Sequence, residues 1–216
     1  MKVNLLNYTP LEVVDIAICK CYGNEPHSDS EKVKARINRV ANVSKHASTI
    51  EHLYYNFDID GISRACLQEL ARHRIASYTV KSSRYTLKEL KNEDNFNHDF
   101  VWDMRERAEY KEMAYQRALK YVVLTDDGKA NDYIIKALEN LRYSILSGIP
   151  NDIAKYCMPE AYKTSLVMSI NARSLQNFLE LRTSKHALKE IRNLAKALFE
   201  AVPEEHKFLF KESIND

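Results

Sequence analysis

Glycine is scarce in this chain: 216 residues hold only Gly23, Gly61, Gly128 and Gly148. Neither G-x-G-x-x-G nor a P-loop can be written with glycines so placed, so any nucleotide is expected to be held by another device. No uninterrupted apolar run approaches the roughly 20 residues that a membrane helix needs, and Met1-Lys2-Val3-Asn4 does not read as the opening of a secretion signal. A soluble, cytoplasmic protein without a membrane partner is expected. Cys19, Cys21, Cys66 and Cys157 form no C-x-x-C pair and have no histidines at zinc spacing, so reduced, structural thiols and no metal site are expected. The net charge of +2 is small for a protein that grips nucleic acid through its overall field. No repeat, low-complexity segment or linker interrupts the chain, and residues 1–216 read as a single domain.

Helical periodicity dominates what is present. Thr9-Pro10-Leu11-Glu12 has the form of a capping box with proline at the first helical position, and Gly23 stops the helix that follows. A second helix is predicted from Ser30 to about His46. The period then changes to two, with Leu53, Tyr55, Phe57 and Ile59 facing one way, which predicts a strand that Gly61 ends. Ser63 can cap a helix running through Arg72. Further helices are predicted over 99–124, 129–147, a short stretch after Pro150, 185–201 and 203–213. A second strand alternates through Tyr162, Thr164, Leu166, Met168 and Ile170. The mixed charges at Arg105, Glu106, Arg107, Glu109, Lys111 and Glu112 read as a solvated helix face.

Between Gly61 and Thr86 the charges are unbalanced: Arg64, Arg72, Arg74, Lys81 and Arg84 stand against the single acid Glu69. Ser77, Thr79, Ser82 and Ser83 lie among them. Guanidinium forks and hydroxyls are the donors that a phosphate takes up, so a phosphorylated small molecule or a nucleic acid is implied. The cluster has no clean period and is read as a ligand-facing loop. Near the other end, Asn171-Ala172-Arg173-Ser174-Leu175-Gln176-Asn177-Phe178-Leu179-Glu180-Leu181-Arg182 is helical, and Arg182 falls seven residues beyond Leu175 on the apolar face. An arginine there needs a partner; capping the helix's own carbonyls would serve, as would a ligand. Arg173 and Asn177 share a different face.

Arg72-His73-Arg74 followed after seven residues by Ser82, then Ser83-Arg84-Tyr85, resembles the signature of the flavin-dependent thymidylate synthases. The Asn171–Arg182 run is similar to that family's second block, and His46-Ala47-Ser48-Thr49-Ile50-Glu51-His52 is similar to its upstream segment. The blocks come in the family's order and span about residues 46–190. The resemblance implies an α/β (α+β) fold with a central, largely antiparallel sheet flanked by helices. It also implies conversion of dUMP to dTMP, with methylenetetrahydrofolate as carbon donor, FAD as hydride carrier and NADPH as reductant, in a homotetramer with shared flavin sites. Two other classes remain open beside it: a flavin- or nucleotide-binding relative without synthase activity, and a nucleic-acid-binding module in which Tyr78 and Tyr85 stack on bases.

Carried over residue by residue, the resemblance puts His46, Ser48, Arg72, His73, Arg74, Val80, Asn171, Arg173 and Asn177 at the flavin. It puts Glu69, Arg72, Ser82, Ser83, Arg84, Lys155 and Arg182 at dUMP, with Arg182 facing the uracil ring as an electrostatic activator. No enzyme thiol is required, which suits Cys66 as a buried apolar residue. The chain departs from the family's pattern at three places. Thr79-Val80 lacks a carboxylate, Lys155 stands where arginine is frequent, and Glu69 stands where glutamine is frequent.

Overall fold

The computed structural model describes residues 1–96 and 104–215, with only the backbone described at 104–107. In chain order the elements are β1 (Lys2–Tyr8), α1 (Glu12–Tyr22), α2 (Ser30–Asn38), β2 (Tyr54–Ser63), α3 (Arg64–Leu70), β3 (Ala76–Val80) and α4 (Ser83–Thr86). They continue with α5 (Met104–Ala118), α6 (Gly128–Leu146), α7 (Asn151–Ala154), β4 (Lys163–Asn171), α8 (Ala172–Arg182) and α9 (Lys189–Ala201). One four-stranded antiparallel sheet, ordered β1-β2-β4-β3, is accompanied by helices, which is the expected fold class.

The chain divides into two compact units. The first comprises residues 1–60, 68–79 and 166–216. Its core follows from period two in the strands and 3.6 in the helices. Tyr55, Phe57 and Ile59 of β2 and Leu166, Met168 and Ile170 of β4 are buried. So are Leu175, Phe178 and Leu179 of α8 and Ile191, Leu194 and Leu198 of α9. Gly23 ends α1 in the left-handed conformation, with φ of 65°, where glycine alone carries no Cβ penalty. Asp29 caps α2 by accepting from the N–H groups of Glu31 and Lys32.

The second unit comprises residues 61–67 and 80–165. Leu87, Leu90, Phe96, Ala118, Val122, Ile135, Leu138, Leu141 and Ile145 form its core. Asp127 caps α6 through the N–H groups of Lys129 and Ala130, and Lys111 of α5 pairs with Asp132 of α6 at 3.0 Å. Among the charges read as a solvated face, Glu109 and Glu112 are exposed and Lys111 is half-buried. Residues 99–103 and the side chains of Arg105, Glu106 and Arg107 lie outside the described part.

Several expectations are corrected. Thr9 does not cap α1: its hydroxyl accepts from Tyr54 N–H at 3.1 Å, and the helix starts only at Glu12. A hydroxyl beside β2 is drawn to a strand donor instead. Gly61 does not end β2. It takes φ of 73° within the strand, and burial then moves from Ile59 to the adjacent pair Ile62 and Ser63. Ser63 does cap α3, accepting from Cys66 N–H at 3.0 Å, but α3 stops at Leu70 rather than Arg72. Part of the basic cluster is not a loop but β3, with Ala76, Tyr78 and Val80 half-buried and Ser77 and Thr79 exposed. The sheet also gains β1 at its other edge, and α9 begins at Lys189. After Pro203 the chain forms two short 3-10 turns, at Glu204–Leu209 and Lys211–Ser213. All four cysteines stand outside any disulfide, but Cys21 and Cys157 are exposed and add nothing to a core.

Candidate functional site

The Arg72-His73-Arg74 tripeptide sits in the turn between α3 and β3, and local bonds hold that turn. His73 N–H donates to the Leu70 carbonyl at 3.1 Å. The Tyr78 hydroxyl faces the carbonyls of Leu70 and His73 at 3.0 and 2.9 Å. Ile75 N–H donates to Ser174 Oγ at 3.0 Å, which ties the turn to the first turn of α8. The result is a cavity of about 510 Å³ in the first unit, lined by Arg72, His73, Arg74, Asn177, Leu181 and Arg182. Five of these six are site residues expected from the sequence blocks. Leu181 was missed, although it lies four residues from Asn177 and therefore shares its helix face.

Among the described residues Arg182 makes three side-chain contacts to two partners, neither of them on its own helix. Its Nη1 meets Glu69 Oε2 at 2.7 Å, its Nη2 donates to the Glu69 carbonyl at 3.3 Å, and its Nε donates to His73 Nε2 at 2.7 Å. Phe178, one turn before Arg182, packs edge-on against the His73 ring with centroids 4.8 Å apart. To accept from Nε, His73 must be neutral with its proton on Nδ1. Burial, the Arg182 guanidinium and then Arg72 press its pKa down to about 4, with Glu69 opposing them. The other Glu69 oxygen lies 3.6 Å from Arg72. The side chains of Arg74 and Asn177 have no hydrogen-bond or ion-pair partner among the described residues, and both line the cavity. One carboxylate against three guanidiniums leaves this wall cationic, as an anionic ligand requires.

A second cavity in the same unit, of about 320 Å³, brings together His46, Ser48 and Arg173 with Tyr22, Lys45 and Thr49. Arg173 is held there by Glu51 at 2.6 Å. Lys45 takes φ of 56° and pairs with Glu212 at 3.2 Å; no periodicity marks a residue of that kind in the sequence. Asn171 lines neither cavity. It is buried and caps α8, its Oδ1 accepting from Ser174 N–H at 2.8 Å.

Val80, Ser82, Ser83, Arg84 and Lys155 belong to the second unit and line neither cavity. There the Arg84 guanidinium lies over Tyr85 and the Lys155 ammonium beside Tyr156, at 6.0 and 5.8 Å from the ring centres. Asn151 of α7 donates to the Arg84 carbonyl at 2.8 Å, so the segments carrying Arg84 and Lys155 are joined. Val80 shares the half-buried face of β3 with Ala76 and Tyr78. Among the described residues no group of three or more histidine, cysteine or acidic side chains could hold a metal ion, and no helix is long and apolar enough to cross a membrane.

An antiparallel sheet with helices, a cationic cavity and no glycine phosphate loop define an α/β protein built to take anionic ligands outside the Rossmann scheme. Residues 4–206 match the family model described as thymidylate synthase complementing protein. The chain is 55% identical over 212 residues to the flavin-dependent thymidylate synthase of Wolinella succinogenes, covering 97% of each. It is 52% identical over 217 residues to that of Campylobacter jejuni, covering all of this chain and 98% of the relative. The crystal structure of Thymidylate Synthase X from Helicobacter pylori with FAD and dUMP superimposes with a TM-score of 0.90 at 50% identity, each chain fully covered. The chain belongs to the flavin-dependent thymidylate synthase family. The resemblance of the three sequence blocks, the fold class and the enzyme class are thereby borne out.

Proposed function

We propose that the protein converts dUMP to dTMP, with methylenetetrahydrofolate giving the carbon, FAD the hydride and NADPH the electrons that reduce the flavin. The observation that carries this reading is the oriented Arg182 guanidinium at a cationic cavity. Carbon 5 of uracil becomes nucleophilic as negative charge develops on N3 and the carbonyl oxygens. A fixed guanidinium opposite that charge lowers the barrier without any proton transfer.

The donor set fits a flavin dinucleotide. Arg74 and Asn177 are unpartnered at one cavity, and Arg173 stands with His46 and Ser48 at the other. Arg72, His73, Arg74, Asn171, Arg173, Asn177, His46, Ser48 and Val80 are the proposed flavin residues. Asn171 has its amide N–H groups to offer, while its oxygen caps α8. Bound there, FAD would supply the hydride that completes the methyl group. Glu69, Arg72, Ser82, Ser83, Arg84, Lys155 and Arg182 are the proposed dUMP residues, with hydroxyls and cations suited to a phosphate monoester. A homotetramer with shared flavin sites is part of the same proposal. Seven of the nine flavin residues divide between two cavities of one chain, so a second copy can complete each site. The whole of residues 1–216 is taken to act as one functional domain in the cytoplasm.

The test is an absorption spectrum on protein separated by gel filtration. The purified protein, or the protein after addition of FAD, should show flavin bands and elute as a tetramer. Protein that takes up no FAD would overturn the reading.

A further inference from the structure

We propose that Glu69 and His73 are positioning residues for Arg182, holding its guanidinium in one orientation while leaving part of its donor set free for substrate. The inference rests on the reading that Arg182 faces the uracil ring.

A guanidinium carries five N–H donors in a rigid plane. Three of the five are engaged here: Nε with His73 Nε2 at 2.7 Å, Nη1 with Glu69 Oε2 at 2.7 Å and Nη2 with the Glu69 carbonyl at 3.3 Å. One N–H remains on each Nη. Contacts at both the Nε and the Nη ends fix the direction in which the remaining two point. The side chain is 17% exposed, and Arg182 lines the cavity. Both partners are themselves held. Glu69 is anchored in α3, and its second oxygen faces Arg72 at 3.6 Å. His73 is packed against Phe178 and fixed through its backbone by Leu70 and Tyr78.

Orientation is the useful product of this arrangement. A carboxylate also withdraws field from the uracil, so the account predicts that what Glu69 contributes is its acceptor oxygen and not its charge. Gln at position 69 keeps an acceptor at similar reach and removes the charge; Ala removes both. The two effects are therefore separable.

Glu69→Ala should lower kcat for dTMP formation on the order of 10- to 100-fold, the scale of loss for a misplaced catalytic group. Flavin absorbance should be unchanged, and the loss should fall more on kcat than on KM for dUMP. Glu69→Gln should recover most of that kcat. In an Arg182→Ala background, where residual product is measured by single turnover at saturating dUMP, adding Glu69→Ala should slow the chemical step no further, because what Glu69 does for that step it does through Arg182. Wild-type kcat in Glu69→Ala would overturn the inference. So would a Glu69→Gln variant no better than Glu69→Ala, or a further loss in the double variant. Full turnover in Arg182→Ala alone would instead overturn the assignment of Arg182, whatever the Glu69 variants do.

Discussion

Nε of Arg182 donates to Nε2 of His73 across 2.7 Å, joining residues 109 positions apart in the chain. The contact fixes the protonation state of the histidine as well as the direction of the arginine. An imidazolium has no lone pair to offer, so the bond exists only while His73 is neutral.

The first prediction concerns that proton. His73 should stay neutral until the pH falls to about 4, against an ordinary value of 6.5. Because the folded value lies below the unfolded one, the unfolded chain binds the proton first. The stability contributed by neutral His73 is complete above about pH 6.5 and falls as pH drops toward 4. An NMR titration of the ring resonances measures the value directly. In Arg182→Ala the value should rise but remain below 6.5, since burial is the leading cause of the depression. A ring titrating near 6.5 in the intact protein would contradict the bond.

Asn171 carries two assignments that can be separated. Asn171→Ala should destabilise the fold by about 1 kcal/mol through loss of the cap on α8. Asn171→Asp keeps an oxygen for Ser174 N–H, with its charge favoured at a helix N-terminus. It should therefore hold its melting temperature while FAD binds more weakly, because the amide donors are gone. Unchanged FAD affinity in Asn171→Asp would leave the residue a cap and nothing more.

Val80 is half-buried with Ala76 and Tyr78 on one face of β3. Val80→Glu places a carboxylate on that face, where partial burial of an unpaired charge is unfavourable. The expected cost is about 1 kcal/mol, a few degrees in melting temperature, with no gain in turnover. A variant with raised turnover and tighter dUMP binding would mean that this face meets the nucleotide.

Ser82 precedes the short helix α4 and is exposed. If its hydroxyl contacts dUMP, the contact is made equally in the ground and transition states. Ser82→Ala should then raise KM for dUMP and leave kcat nearly unchanged. Steady-state kinetics over a dUMP series checks the split; loss of kcat at constant KM would assign Ser82 to the chemistry.

What the sequence made legible depended on how local the cause was. The buried sides of β2 as far as Ile59 and of β4 as far as Ile170 alternate because one face of each is core, and the apolar stripe of α8 is read from Leu175, Phe178 and Leu179. The edge strands were hidden. β1 places Leu5 beside Leu6 and shifts register before Asn7, and β3 is five residues of mainly small and polar side chains. Thr9 misled because its hydroxyl is taken by Tyr54, 45 residues away. At the site, the need of Arg182 for a partner was legible from its helix face. That the partners are Glu69 and His73 was not, since no spacing rule spans more than 100 residues. The ordered blocks supplied Arg72, His73, Arg74, Asn177 and Arg182 together, and the cavity brings those five side chains to one place.

The most direct test of the account measures dTMP made from dUMP by the FAD-loaded protein with methylenetetrahydrofolate and NADPH, comparing the intact enzyme with Arg182→Ala. The account predicts product from the intact enzyme and a loss on the order of 100- to 1000-fold in the variant, with the flavin still bound and still reduced by NADPH. Equal product from both proteins would contradict it, and so would an intact enzyme that reduces its flavin yet makes no dTMP.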